Sequence, residues 1–221
     1  MYGGWNGLPV AVFGAGATSK EVEIIIKRVN EFNNSPVFNF LGFISKHGEE
    51  TNCLCAEEDL YDLIESHSAM GLVIPLGDMT IRERIYLKYK NIKGLVWPNI
   101  IDPGAKLIQR DSVHIGIGNI IEFGAVVNMN STIGSFNLIN INAIIGHDNH
   151  IGDFCTISPG AVLSGNVMVE DNALIGAGAV VKQNLKIGRG AALGLGAFTV
   201  NDIAPGKILV CEKPQELKRS Q

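Results

Sequence analysis

The chain reads as a small parallel α/β domain over residues 1–95, followed by a parallel β-helix of hexapeptide repeats over residues 96–221. Two observations predict this. Every sixth residue from Ile115 to Leu193 is Ile, Leu or Val, through fourteen consecutive positions that include Ile121, Val127, Ile145, Leu163 and Val181. Before that run, the first ninety residues alternate apolar strand-like segments with amphipathic helical ones. A period of six matches neither the 3.6 of a helix nor the two of an isolated strand. It is a repeat period, and short repeats of this kind build parallel β-helices.

Most hexads have a small residue four places after the aliphatic, as at Ala125, Ser131, Ala143, Cys155 and Ala161, and often a glycine directly after the aliphatic, as at Gly134, Gly146 and Gly176. We read these as the aliphatic filling the interior, the small residue beside it and the glycine forming the turn. Three hexads then close one coil, and residues eighteen apart stack at about 4.8 Å. The register survives to Thr199, and Ala204-Pro205-Gly206 breaks it. The charged segment 212–219 is expected to cap the open end, where bare strand edges would otherwise be exposed.

In the first domain, residues 9–13 (PVAVF) read as a buried strand, and the turn Gly14-Ala15-Gly16-Ala17-Thr18-Ser19 follows it. Residues 20–30 form a helix with Val22, Ile25, Ile26 and Val29 on one side. Residues 37–44 give a second strand, and 56–65 (AEEDLYDLIE) a helix whose acidic start suits the helix dipole. Residues 71–75 give a third strand ending in Leu76-Gly77-Asp78, and Thr80 is expected to cap a helix over 81–90. Strand–helix alternation of this kind makes a parallel, Rossmann-like sheet. Residues 96–105, with Pro98 and Pro103, are expected to link it to the coils.

Composition narrows the function. The net charge of −4 gives no broad basic field for nucleic acid. No eighteen-residue apolar window is present, so no membrane span is expected. The start MYGGWNG lacks the basic region and apolar run of a signal peptide, and the four cysteines form no CxxC pair. A cytoplasmic protein with reduced thiols is the expectation.

Two places carry chemistry. Gly14-Ala15-Gly16 lies between a strand and a helix, where backbone N–H groups and the helix dipole favour a phosphate. Ser19 stands where a dinucleotide fingerprint has its third glycine, and Ser45 where it has a ribose-binding acid, so the segment reads either as a site for a single nucleotide or part of a nucleotide-sugar, or as a tight turn alone. Gly77-Asp78 ends the third strand on the same carboxyl edge. The second place is Gly146-His147-Asp148-Asn149-His150, inside the hexad array. Imidazole takes a proton from an amine or hydroxyl near neutrality. Adjacent strand residues point to opposite faces, so Asp148 can assist His147 only if the pair sits at a coil corner. A metal reading would use His114, His147 and His150. The first and last are two coils apart, roughly 10 Å, too far to share a zinc at about 2.1 Å per bond. No metal is expected.

With these features in place, the chain resembles the bacterial nucleotide-sugar N-acetyltransferases and sialic-acid O-acetyltransferases, hexapeptide-repeat acyltransferases of the bacillosamine-pathway type. The resemblance is carried by residues 10–22 (VAVFGAGATSKEV), 40–44 (FLGFI), 73–82 (VIPLGDMTIR), 140–152 (NINAIIGHDNHIG), 158–166 (SPGAVLSGN) and 175–181 (IGAGAVV), in that order. It implies a left-handed β-helix and a homotrimer, with acetyl-CoA as co-substrate along the coils of neighbouring subunits. It implies that His147 is the general base, that Asp148 raises its basicity and that Asn140 lies beside the acceptor. Gly16, Ala17, Thr18, Ser45, Gly77 and Asp78 would hold the nucleotide-sugar, and Thr156, Ala177 and Leu195 would line the acetyl-CoA groove. The chain departs from the pattern at Gly146, where many members carry an acid, at Thr156, where some carry a second histidine, and at Ser45-Lys46, where acids are common. The expected reaction is N-acetylation of a nucleotide-linked amino sugar carrying UDP, GDP or dTDP. The alternatives are O-acetylation of sialic acid or a related free sugar, and a non-catalytic sugar-nucleotide binding protein.

Overall fold

The computed structural model describes residues 6–46 and 53–211. The α/β part contains β1 (Leu8–Phe13), α1 (Ala17–Asn33), β2 (Phe38–Ser45), β3 (Cys53–Ala56), α2 (Leu60–Glu65), β4 (Met70–Val73), α3 (Met79–Tyr89) and β5 (Leu95–Val96). All five strands are parallel, in the order β3-β2-β1-β4-β5. Alternation along β1 sorts the two layers. Val10 and Val12 face Val22, Ile25, Ile26 and Val29 of α1, while Ala11 and Phe13 face Leu60, Ile64, Ile85 and Tyr89 of α2 and α3.

The two edge strands, β3 and β5, are absent from the sequence reading. They are four and two residues long, too short to set a period. The segment over 57–59, expected to open α2, is a separate 3₁₀ turn. The cap of α3 also differs from expectation. Its helix starts at Met79, and Asp78, not Thr80, is the cap, accepting the N–H groups of Thr80 and Ile81 at 2.9 and 3.1 Å.

The hexads stack into three parallel sheets of two-residue strands, with partners eighteen residues apart, such as Ile139 with Ile157 and Ile145 with Leu163. One face carries Leu138–Ile139 and Thr156–Ile157, the next Ile144–Ile145 and Val162–Leu163, the third His150–Ile151 and Met168–Val169. The segment expected to be a linker already contributes a rung at Ile100–Ile101, and Lys106–Leu107, just past it, contributes the next. Past the break at 204–206 the chain returns once more, with Ile208–Leu209 pairing onto Ala192–Leu193. The expected cap over 212–219 lies outside the described residues.

The turns are not where the glycines suggested. In every hexad from Gly118 to Gly196, the residue three places after the aliphatic has positive φ, and it is Gly, Asn, Asp or Phe. Glycine and asparagine tolerate this left-handed conformation best. The glycine directly after the aliphatic does a different job. A Cβ on Gly146 would lie 2.7 Å from the backbone carbonyl of Ser164 on the next coil. These glycines let coils approach; the third residue turns the chain.

The two parts are welded together. Arg82 of α3 is completely buried, and its guanidinium donates to the carbonyls of Leu76, Phe154 and Cys155 and to Thr156 Oγ1, at 2.7–3.1 Å. Tyr86, Trp97, Phe136 and Phe154 form an aromatic cluster around it, with the two phenylalanines stacked at 5.2 Å. On the other side of the sheet, Arg28 of α1 grips Asp102 through two hydrogen bonds of 2.7 and 3.1 Å.

Candidate active site

His147 and Asp148 occupy one corner of the middle coils. Asp148 is the residue that turns this corner, with φ of 57°. The left-handed turn brings two neighbours that a strand would separate onto one side. His147 Nδ1 lies 2.6 Å from Asp148 Oδ2. A carboxylate at Nδ1 accepts a hydrogen bond from the Nδ1–H and leaves Nε2 free to accept a proton. Both side chains are about half exposed, at 53% and 47%.

Asp148 is held from the coil below. Asn130, eighteen residues earlier and also at a left-handed corner, donates its side-chain amide to Asp148 Oδ1 at 3.1 Å. The hydrogen bonds to His147 and then to Asn130 hold the Asp148 carboxyl below the usual carboxylate range. Inside the coil, Asn149 donates to the carbonyls of Gly146 and Ser164, both at 2.9 Å, and so ties the corner to the coil above. Sequence reasoning missed Asn130 and Asn149, although counting eighteen back from Asp148 gives Asn130 directly.

The other expected site residues fall into three places. Gly16, Ala17, Thr18, Ser45, Gly77 and Asp78 lie at the carboxyl edge of the α/β sheet, where β1, β2 and β4 end. α1 starts there with no side-chain cap and no acid in its first turn, so its first N–H groups are left for an anion. A Cβ on Gly16 or Gly77 would meet nothing within 4 Å, so this edge is open. Ser19, by contrast, is buried and spends its hydroxyl on the Phe13 carbonyl at 3.0 Å. Ser45 is also buried, its hydroxyl 3.3 Å from Cys53 Sγ. Asp78 gives Oδ1 to the cap of α3.

Asn140, Ala177 and Leu195 share a second corner of the coils, each one or two residues after an aliphatic of the same sheet. Asn140 is half-buried and donates to the Ile157 carbonyl at 3.1 Å, whereas Leu195 is 77% exposed. Thr156 stands apart from both. It is buried under α3, its hydroxyl accepting from Arg82. His114 and His150 align on the third face with Thr132 between them. No group of three or more metal-ligating side chains forms among the described residues.

No family model matches this chain, and no curated protein is close enough in sequence to match it. Solved structures do. The acetyltransferase domain of PglB from Neisseria gonorrhoeae, in complex with acetyl coenzyme A, is 27% identical, with a TM-score of 0.76 over 93% of this chain and 97% of that one. WeeI from Acinetobacter baumannii is 26% identical, with a TM-score of 0.77 over 92% and 97%. The chain thus shares its fold, over nearly its whole length, with structures that include a solved acetyltransferase domain. PerB from Caulobacter crescentus, in complex with CoA and GDP-perosamine, has the same fold at a TM-score of 0.83 and 24% identity, over 92% of this chain and 94% of that one. The shared fold thus spans both the α/β part and the coils.

Proposed function

We propose that the protein transfers the acetyl group of acetyl-CoA to the amine of a nucleotide-linked amino sugar, with His147 as general base. The observation that carries this is the His147–Asp148 pair, 2.6 Å apart on an exposed corner. The neutral amine attacks the thioester carbonyl carbon as His147 Nε2 takes its proton. The Nδ1 proton stays on the hydrogen bond to Asp148. The oxyanion that forms needs donors, and the Gly165 N–H, one coil above, has no partner among the described residues. Collapse of the intermediate breaks the C–S bond and expels the CoA thiolate, which takes the proton from His147 and departs as the free thiol. The acetyl coenzyme A held by the PglB domain supports the donor.

The nucleotide belongs at the open start of α1 beside Gly16 and Gly77, because a diphosphate suits uncapped N–H groups at the carboxyl edge of a parallel sheet. A free sugar has no phosphate to place there. Calorimetry with UDP, GDP and dTDP is expected to give binding by at least one of them; binding of free sugar alone would favour O-acetylation instead. A base of this kind contributes about 10²–10⁴-fold. His147→Ala is expected to lower kcat by that much in a thiol-release assay, and an unchanged kcat would sink the assignment.

The donor groove is assigned to the contact between copies in a homotrimer. The outer side of the second face carries Ile144, Val162, Val180 and Phe198 in one ladder, an apolar strip that water would otherwise cover. A neighbour on that strip brings the Ala177–Leu195 corner of one copy toward His147 of the next. We assign the reaction to the cytoplasm, which supplies acetyl-CoA and keeps thiols reduced. No helix among the described residues is long and apolar enough to cross a membrane.

A further inference from the structure

Of the fourteen hexads, one alone has glycine two places after its aliphatic, and it is Gly165, eighteen residues after His147. That position elsewhere carries side chains as large as Phe123, Met129 and Leu195. The backbone gives no reason for a glycine, because Gly165 is not among the residues with positive φ. Its surroundings do. A Cβ built on Gly165 would lie 2.5 Å from Cε1 and 2.6 Å from Nε2 of His147, and its three nearest atoms all belong to that ring. Gly146, by comparison, faces the backbone of the coil above. The missing methyl at 165 makes room for the reactive edge of the imidazole.

The ring is therefore fixed at two points. Its Nδ1 edge is held by Asp148, which Asn130 holds in turn from the coil below. Its Nε2 edge rests over Gly165 on the coil above. We propose that Gly165 is a positioning residue that seats the His147 ring so that Nε2 meets the acceptor amine. This rests on the reading of His147 as the base. Gly165 does no proton transfer itself; apart from its backbone N–H, which alanine would keep, its contribution is the absence of a side chain where one would turn the ring away.

The test is Gly165→Ala, alone and combined with His147→Ala. Alanine suits the backbone here, so the variant is expected to keep its fold, its assembly and its melting temperature. A misplacement of about 1 Å costs on the order of 10²-fold in rate, so kcat should fall by about that factor. KM for acetyl-CoA and for the nucleotide-sugar should stay within about twofold, since a displaced base does not alter uniform binding. In the His147→Ala background the second change should have no further effect, because its target is gone. Full kcat in Gly165→Ala beside an inactive His147→Ala overturns the seating role and leaves the base assignment standing. Equal losses from Gly165→Ala with and without His147 also overturn it. An active His147→Ala removes the base assignment, and the seating role with it. Failure of the alanine variant to fold counts against the proposal as well, since the three nearest atoms the methyl would press all belong to the ring.

Discussion

Asp148 is the single aspartate among the corner residues of positive φ, where the other non-glycine residues are asparagine or phenylalanine. Asparagine is at home in that conformation, so Asp148→Asn should keep the corner and its amide bond to the Met129 carbonyl while removing the carboxylate from His147 Nδ1. We expect kcat to fall by about 10²-fold with little change in melting temperature; a fall in stability as large as the loss of rate would mean that the aspartate serves the coil instead. Phe136 and Phe154 are the opposite case. A bulky residue at φ 58° is strained, and both are held there by stacking under α3 and Trp97. Two aromatic side chains in a column of glycine and asparagine were visible in the sequence as exceptions. Their meaning, a docking point for another domain, was not, because it depends on Tyr86 and Arg82 arriving from fifty or more residues away.

Among the elements, α1 and α3 join the sheet to the coils in chemically different ways. Arg82 on α3 is a buried cation with carbonyl partners and no carboxylate, and burial pushes its guanidinium down to about 10, so it stays charged at neutral pH. Removing it orphans several acceptors, each costing about 1–3 kcal/mol. Arg82→Leu should therefore destabilise by a few kcal/mol in denaturant melts and loosen Thr156. On the α1 side, Glu122 sits beneath a cavity of about 240 Å³ lined by Ile24, Ile25, Phe123 and Ile141. Burial pushes its carboxyl up to about 7, against the hydrogen bond from the Ile141 N–H and with Glu21 and Asp102 adding repulsion; Arg28 across the cavity is engaged by Asp102. The folded state thus keeps a proton that the unfolded chain loses near 4.5. Stability from this group is greatest below that value, declines as pH rises toward about 7, and is level above it. Urea midpoints at pH 5 and pH 8 should differ less in Glu122→Gln than in the parent, and an equal difference would remove Glu122 as the cause. None of this was legible beforehand. Periodicity reports which residues face inward within one element, while both junctions are made by side chains that leave their own element.

For the whole molecule, the assembly is the consequence easiest to test. A charge in the apolar ladder of the second face, as in Val180→Glu, should dissociate the proposed homotrimer in sedimentation and abolish transfer, while leaving nucleotide binding to the α/β part intact. Loss of nucleotide binding as well would show that the substitution unfolds the chain. The coils themselves were readable from end to end, because one aliphatic per hexad is a constraint the interior imposes at every step. The turning residue was misplaced because glycine serves two purposes in the same hexad, and composition does not separate left-handed backbone from close approach. The corner rule has a further result for the donor groove proposed to run past His147. With one left-handed residue per hexad and three hexads per circuit, the wall is a ruler graduated in eighteen-residue marks of about 4.8 Å. Its length changes only by whole graduations: removing six residues would turn every later face by a third of a circuit and carry His147 away from Asn130 and Gly165, whereas removing eighteen from the far end would shorten the donor's track by one mark and leave the histidine in its seat.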